Sequence, residues 1–138
     1  MSMDFLKSIR IAAGGMRAQA GRMRVVAENL ANANSTSQTP GGDPYRRRVP
    51  TFRTSFDREL QATTVQLGPV RPAAGEFQTR YDPNNPAADA RGYVKLPNVN
   101  SLVEGLDLRE AQRSYEANLN VITSTRRMLQ RTIDLLRA

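Results

Sequence analysis

The eight prolines of this chain all lie in its central part, between Pro40 and Pro97. None occurs among the first 39 or the last 41 of the 138 residues. Because proline lacks a backbone N–H donor and clashes with the preceding helical turn, long helices must lie outside the proline-containing segment. We therefore expect one helix over residues 4–31, a central segment of loops and strands over 35–101, and a second helix over 104–137.

The N-terminal segment carries apolar residues at alternating spacings of three and four. Its seam consists of Leu6, Ile9, Ala13, Met16, Ala20, Met23, Ala27 and Leu30. This period of 3.5 residues is typical of a helix that keeps one face against a partner helix. The glycines at 14, 15 and 21 each lower helix stability by about 1 kcal/mol relative to alanine. The helix is therefore expected to need a partner.

The C-terminal segment has the same spacing and a wider apolar surface. Its seam consists of Leu108, Ala111, Tyr115, Asn118, Ile122, Thr125, Leu129, Thr132 and Leu136. Beside the seam lie Leu119, Val121, Met128, Ile133 and Leu135. Since one partner helix covers only a narrow seam, this width indicates burial on more than one side. Packing on the chain's own middle segment and assembly with other subunits account for it equally well.

The expected fold class is mainly α with a small β-containing insertion. The two terminal helices are expected to pair as an antiparallel coiled coil, joined by a central Pro/Gly-rich extended and β segment. Runs that alternate apolar and polar residues predict strands at 65–67, 77–81 and 93–96. Phe52, Phe56 and Leu60 lie four residues apart, which fits either a short helical stretch or an irregular packed loop.

The composition excludes several kinds of catalytic and metal site. The chain has no Cys, His or Trp, which removes disulfides, zinc fingers and nucleophiles activated by histidine. The central carboxylates show no spacing diagnostic of acid–base chemistry, and Asp82 and Asp89 are expected to cap turns. We therefore expect no enzymatic activity, no catalytic residue, no metal ion and no cofactor.

The net charge of +7 favours one alternative, a small basic nucleic-acid-binding protein. Its best candidate site is the run of arginines at 46–48 that follows Tyr45. Three arginines beside one aromatic residue match no recognition module, so we interpret them as a solvated or interface loop. A row of Arg10, Arg17 and Arg24, seven residues apart, either stays solvated or meets a neighbouring subunit.

Three stretches of the sequence resemble bacterial flagellar basal-body rod proteins. They are MRAQAGRMRVVAENLANANSTSQTPGGDPYRRRVPTF (16–52), YDPNNPAADARGYVKLPNVN (81–100) and EGLDLREAQRSYEANLNVI (104–122). The last two narrow the resemblance to members of the proximal rod, and the resemblance covers essentially the whole chain. It implies a structural subunit that builds the rod by helical assembly, as a drive shaft and as the conduit for exported subunits.

The resemblance also implies partners and a location. The partners are the rod proteins FlgB, FlgF and FlgG, the ring-junction protein FliE, the MS ring and the flagellar type III export apparatus, with no specific nucleic acid. The location is the rod of the flagellar basal body within the periplasmic space. The start MSMDFLKSIR has no apolar core of a cleavable secretory signal, and we expect export without one. No apolar run approaches the length of a membrane span, so we expect no transmembrane segment.

The apolar seams and the resemblance together predict a subunit interface on both helices. The predicted interface residues are Leu6, Ile9, Met16, Met23, Leu30, Asn32, Asn34, Tyr115, Asn118, Leu119, Ile122, Met128, Leu129, Ile133, Leu135 and Leu136.

Overall fold

The computed structural model describes residues 2–138, with side chains from residue 4 onward. Helix α1 spans Ser2–Ala31 and helix α2 spans Ser101–Arg137. The two helices pack together, and short strands occupy the sequence between them. The strands are β1 (Arg48–Val49), β2 (Phe52–Asp57), β3 (Ala62–Leu67), β4 (Arg71–Pro72), β5 (Gln78–Tyr81) and β6 (Tyr93–Leu96). The predicted two-helix architecture with a small strand-containing middle is confirmed.

Asparagine side chains mark the end of α1 and the start of α2. Beyond α1, the Asn32 side-chain amide donates to the carbonyl of Glu28 at 2.9 Å. Before α2, the Asn100 Oδ1 accepts from the N–H groups of Leu102 at 3.1 Å and Val103 at 3.4 Å. This is the hydrogen bonding of an N-cap residue, which satisfies donors that lack an intrahelical partner.

The six strands form three separate antiparallel pairs, β1 with β4, β2 with β3 and β5 with β6. The strands predicted at 65–67, 77–81 and 93–96 are confirmed as β3, β5 and β6, with β5 beginning at Gln78. The alternating patterns were sufficient here because successive side chains of a strand point to opposite faces, which is a local property of the chain.

The interpretation of Phe52, Phe56 and Leu60 as a helical stretch or packed loop is wrong. Phe52 and Phe56 lie in β2, opposite Leu67 and Thr63 of β3, and Leu60 lies in the turn between the strands. A spacing of four residues also returns to the same side of a strand, so it does not distinguish the two structures. Asp57 closes the turn, since its Oδ1 accepts from the N–H groups of Glu59 and Leu60.

The chain divides into two compact units. The helix-pair unit comprises residues 2–23, 51–69 and 109–138, and the polar-core unit comprises residues 24–50 and 70–108. The buried apolar residues of the helix-pair unit are all alanines, namely Ala12, Ala18, Ala62 and Ala111. Those of the polar-core unit are Val25, Val26, Ala87 and Val94. The helix-pair unit therefore buries only small apolar side chains.

A tight turn in the polar-core unit confirms the predicted capping role of Asp89. Its Oδ1 accepts from the N–H groups of Arg91 at 2.8 Å and Tyr93 at 3.0 Å, and Gly92 adopts a φ of +86°. Hydrogen bonding by these N–H groups, that of Tyr93 first, lowers the pKa of the Asp89 carboxyl. The Asp82 carboxylate accepts from the side chain of Asn85 in the preceding turn. Over residues 2–138, neither helix is long and apolar enough to cross a membrane.

Candidate functional site

The two helices approach each other closely at Gly15 of α1. A Cβ atom added at Gly15 would lie 2.9 Å from both terminal atoms of the Asn118 side chain, so the helices approach closely there. Near the other end of the contact, Arg22 lies 3.7 Å from the carboxylate of Glu110. A shallow cavity between the helices is lined by Ala13, Met16, Arg17, Ala20, Tyr115 and Ile122. The covered side of α2 is therefore the side of Tyr115, Asn118 and Ile122.

The predicted interface residues separate into two groups. Those that are half-buried within the chain are Ile9, Met16, Met23, Leu30, Asn32, Tyr115, Asn118, Ile122 and Leu129. Those that are exposed are Leu6, Asn34, Leu119, Met128, Ile133, Leu135 and Leu136. The structure brings Met16, Tyr115 and Ile122 together around the cavity between the helices. The second group keeps between 38% and 83% of each large apolar side chain exposed.

An exposed apolar stripe runs along α2 beside its covered side. It consists of Val121, Met128 and Leu135, which are 47%, 50% and 77% exposed. These residues lie seven apart, so they face nearly the same direction on a helix with 3.6 residues per turn. That direction is about 100° away from Ile122 and Leu129 around the helix axis. We call these three residues the open stripe.

Leu136 is exposed for a different reason. It continues the covered side of α2, yet 83% of it is accessible to solvent. It lies in the last turn of α2, which ends at Arg137. The two contacts with α1 named above involve Asn118 and Glu110, about five or more turns before Leu136.

Other exposed apolar residues lie outside the predicted interface. In the first turns of α2 they are Leu102, Val103 and Leu106, and in the β2–β3 hairpin they are Phe52, Phe56 and Val65. Their signal in the sequence is weak because they lie off the heptad seam or in a segment without helical periodicity. Val121 lies beside the seam but is not among the predicted interface residues.

Of the two alternatives for the arginines at 46–48, a solvated loop is wrong for Arg46 and Arg47, whereas an interface loop stays a prediction. Arg46 donates to the carbonyls of Ala73 at 2.9 Å and Gly75 at 2.8 Å, and its guanidinium lies 4.3 Å from the ring centroid of Phe77. Arg47 pairs with the carboxylate of Glu104. Arg46 and Arg47 therefore hold the polar-core unit together and are not held available for phosphate groups.

A buried polar cluster surrounds these arginines. Asn29 and Glu104 are both 0% exposed, and the Asn29 amide donates to Glu104 Oε2 at 3.2 Å. The Tyr45 hydroxyl donates to Asn29 Oδ1 at 2.7 Å, and the N–H of Arg48 donates to the same oxygen at 2.9 Å. Burial raises the pKa of the Tyr45 hydroxyl above its usual value.

Sequence reasoning missed this cluster. Glu104 occupies the first turn of a helix, where an exposed carboxylate favourable to the helix dipole is the ordinary interpretation. Within residues 4–138, every buried side-chain nitrogen and oxygen has a hydrogen-bond partner. In the same range no group of three or more carboxylates lies close enough together to hold a metal ion. The hydrogen bonds of Asn29 join α1 to α2 and to the segment at 45–48 within the polar-core unit.

Comparison with known proteins connects these features to a family. Residues 9–37 match the family model described as flagella basal body rod protein, and residues 90–135 match that described as flagellar basal body rod FlgEFG protein C-terminal. The flagellar basal-body rod protein FlgC of Agrobacterium fabrum is 50% identical over 129 residues, covering 94% of this chain and 93% of that protein. The chain belongs to the FlgC family of flagellar basal-body rod proteins.

More distant members of the FlgC family match over the same extent. FlgC of Aquifex aeolicus is 41% identical over 133 residues, covering 96% of this chain and 97% of that protein. FlgC of Borreliella burgdorferi is 38% identical over 152 residues, covering 97% of this chain and 99% of that protein. The two family-model matches cover most of α1 and nearly all of α2. The match to rod-protein family models thus includes Val121, Met128 and Leu135 of α2.

Proposed function

We propose that this chain is a structural, non-enzymatic subunit of the bacterial flagellar basal body. It builds the proximal rod, as drive shaft and export conduit, by helical self-assembly with other rod proteins. The observation that carries this proposal is the open stripe in a chain whose full-length relatives are named flagellar basal-body rod proteins. A neighbouring subunit that covers Val121, Met128 and Leu135 removes their apolar surface from water, which favours assembly.

In this proposal the N-terminal helix (4–31) and the C-terminal helix (104–137) pair as an antiparallel coiled coil and are joined by the central segment (35–101). The opposite trend of residue numbers at the Gly15–Asn118 and Arg22–Glu110 contacts supports the antiparallel direction. The 3-4 spacing of apolar residues on both helices supports coiled-coil packing. The half-buried members of the predicted interface then serve the pairing within the chain, and the exposed members serve contacts with neighbours.

The proposed partners and location follow from kinship with rod proteins. The partners are FlgB, FlgF, FlgG, FliE, the MS ring and the flagellar type III export apparatus, and the location is the rod within the periplasmic space. Export without a cleavable signal peptide belongs to the same proposal. The subunit binds no specific nucleic acid, which agrees with the internal hydrogen bonds of Arg46 and the ion pair of Arg47.

The test places one negative charge in the open stripe. Met128→Asp and Leu135→Asp are introduced separately into a strain that lacks its own copy of the gene. The matched control is Gln112→Asp, which adds the same charge at an exposed polar position of α2, on the side opposite Val121. Because a desolvated, unpaired carboxylate is costly, we expect both stripe variants to be exported but to leave rods incomplete.

Three measurements score this experiment. They are swimming motility, the completeness of rods in isolated basal bodies by electron microscopy, and the amount of subunit secreted. The control variant is expected to support normal rods and motility. Working rods from both stripe variants would show that the open stripe is not a subunit contact.

A further inference from the structure

The positive charge of the chain is concentrated in one of its two units. The helix-pair unit has 12 basic and 6 acidic residues, a net charge of +6, whereas the polar-core unit has 8 basic and 7 acidic residues, a net charge of +1. Together they account for the total of +7. The unit that carries the open stripe is therefore also the strongly charged one.

Part of this charge lies directly beside the open stripe. Arg131 is three residues after Met128 and four before Leu135, so it shares their face of the helix. Arg113 and Arg127 lie on the side of the stripe that points away from Ile122. All three are exposed, and none of them forms an ion pair within the described residues. We call Arg113, Arg127 and Arg131 the arginine border.

Three carboxylates lie three residues along α2 from an arginine of this border, and each also contacts another side chain, with Glu110 lying 3.7 Å from Arg22. Glu116 accepts from the side-chain amide of Gln112 at 3.5 Å, and Asp134 accepts from that of Gln130 at 2.9 Å. In paired helices, charges beside the apolar seam select the partner through attraction or repulsion. The arginine border thus selects for a partner with carboxylates at the facing positions.

We infer that the open stripe and the arginine border accept an acidic amphipathic helix of a different protein, not a second copy of this chain. This inference rests on the proposed function, because it names the chemistry of the partner for the same surface. Two copies that meet through this face bring one arginine border against another and oppose units of +6 each, which is unfavourable. An acidic helix supplies apolar residues for the stripe and counter-charges for the border.

An anionic membrane is the other kind of surface that attracts basic amphipathic helices. Such helices present a broad apolar face, commonly with Trp or Phe. The open stripe instead consists of three aliphatic or thioether side chains at heptad spacing, without an aromatic residue. This narrow geometry fits the seam between two helices better than a lipid interface.

The test uses a fluorescein-labelled synthetic helix as a probe. It has about three heptads, with Leu at the seam positions and Glu at the flanking positions, and a control peptide carries Lys in place of Glu. Binding to the full-length chain is followed by fluorescence anisotropy in low and in moderate salt. We expect the acidic peptide to bind at least about tenfold more tightly than the basic one and to weaken as salt is added.

Matched charge reversals locate the interaction on the surface. One double variant, Arg127→Glu with Arg131→Glu, reverses two charges of the arginine border. The control double variant, Arg53→Glu with Arg58→Glu, reverses two charges on the β2–β3 hairpin. We expect the first pair to weaken binding of the acidic peptide by about tenfold or more, and the second pair by less than about threefold. Circular dichroism verifies that both double variants keep their helix content.

Three results would overturn the inference. The first is equal binding of the acidic and basic peptides. The second is self-association of the chain in sedimentation velocity that Met128→Asp abolishes. The third is that neither peptide binds, while phosphatidylglycerol vesicles bind the chain and lose that binding when the open stripe is substituted. The same double variants are also assayed for rod assembly. If Arg127→Glu with Arg131→Glu builds normal rods while Met128→Asp does not, the open stripe remains a subunit contact and the partner is not selected by charge.

Discussion

The two units of this molecule use apolar and polar side chains in opposite ways. In the helix-pair unit the buried apolar residues are alanines, while Met128 and Leu135 remain in solvent. In the polar-core unit, valines are buried together with Asn29 and Glu104, whose polar atoms all have partners. The polar-core unit therefore has a buried polar cluster that the helix-pair unit lacks among its described residues, although both units expose large apolar side chains, such as Leu102 in the first and Leu135 in the second. Stability and assembly are expected to depend on different residues.

Removing the buried carboxylate is the strongest test of this contrast. Glu104→Ala leaves the Arg47 guanidinium without its ion pair and deprives the Asn29 amide of one acceptor. Breaking a buried pair is costly, although Arg47 is partly exposed, so we expect the free energy of unfolding to fall by about 3 kcal/mol. Urea denaturation followed by circular dichroism measures this change.

Glu110→Ala is the matched control for that change, because it removes a carboxylate from the same helix in the helix-pair unit. Glu110 is largely exposed and lies 3.7 Å from Arg22. Pairs of this kind contribute little, so we expect a loss below about 1 kcal/mol. Equal losses from the two substitutions would mean that the buried cluster does not stabilise the polar-core unit.

A second pair of substitutions separates the two sides of α2. Leu129 lies one heptad after Ile122 on the covered side and is half-buried, whereas Leu135 is exposed in the open stripe. We expect Leu129→Asp to lower the free energy of unfolding by about 2 kcal/mol, because its carboxylate loses water. Leu135→Asp should change it by less than about 0.5 kcal/mol while it blocks rod assembly. Urea titration of the purified monomer measures both changes. A large loss of free energy of unfolding from Leu135→Asp would show that Leu135 stabilises the fold.

The sequence predicts those parts of the fold that depend on local signals. The helices and three of the strands were predictable because proline placement and apolar periodicity are local signals. The β2–β3 hairpin was not, since Phe52 and Phe56 repeat every four residues in a way that suits a helix and a strand equally.

The candidate site was predictable to a similar extent. The spacing of apolar residues alone assigned Met128, Leu135 and Leu136 to a wide surface on α2. The sequence could not show which of its seam residues are covered, because that depends on the register of α1 against α2. Nor could it reveal the Asn29–Glu104 contact, which joins residues 75 positions apart and is created only by the fold.

The alkaline limit of stability should be specific to the polar-core unit. Burial raises the pKa of Tyr45 in the folded state above its ordinary value of 10.0. Below that value both states hold the proton, and as the pH rises above it the unfolded chain loses the proton first. The free energy of unfolding contributed by Tyr45 is therefore present below pH 10.0 and is lost as the pH rises through the folded pKa.

Tyr45→Phe tests this expectation. It removes the hydroxyl that donates to Asn29 Oδ1, so we expect a loss of about 1 kcal/mol at neutral pH. Between about pH 8 and about pH 10.5, urea titrations should show a smaller decrease in the free energy of unfolding for the variant than for the parent chain. An equal decrease in the two proteins would show that groups other than Tyr45 cause the loss of stability at alkaline pH.

The smallest expected effect compares one glycine from each unit. A Cβ atom at Gly105, in the polar-core unit, has no heavy atom within 4 Å, whereas one at Gly15 meets the Asn118 side chain at 2.9 Å. Both glycines are inside helices, where alanine is more favourable by about 1 kcal/mol. Gly105→Ala should therefore raise the free energy of unfolding by about 0.5–1 kcal/mol.

Gly15→Ala should give no gain, because Asn118 must rotate away and give up its hydrogen bond to the carbonyl of Ser114. Thermal and urea unfolding of the two variants measure the difference, and an equal gain from both would show that the helix pair does not need a small residue at position 15.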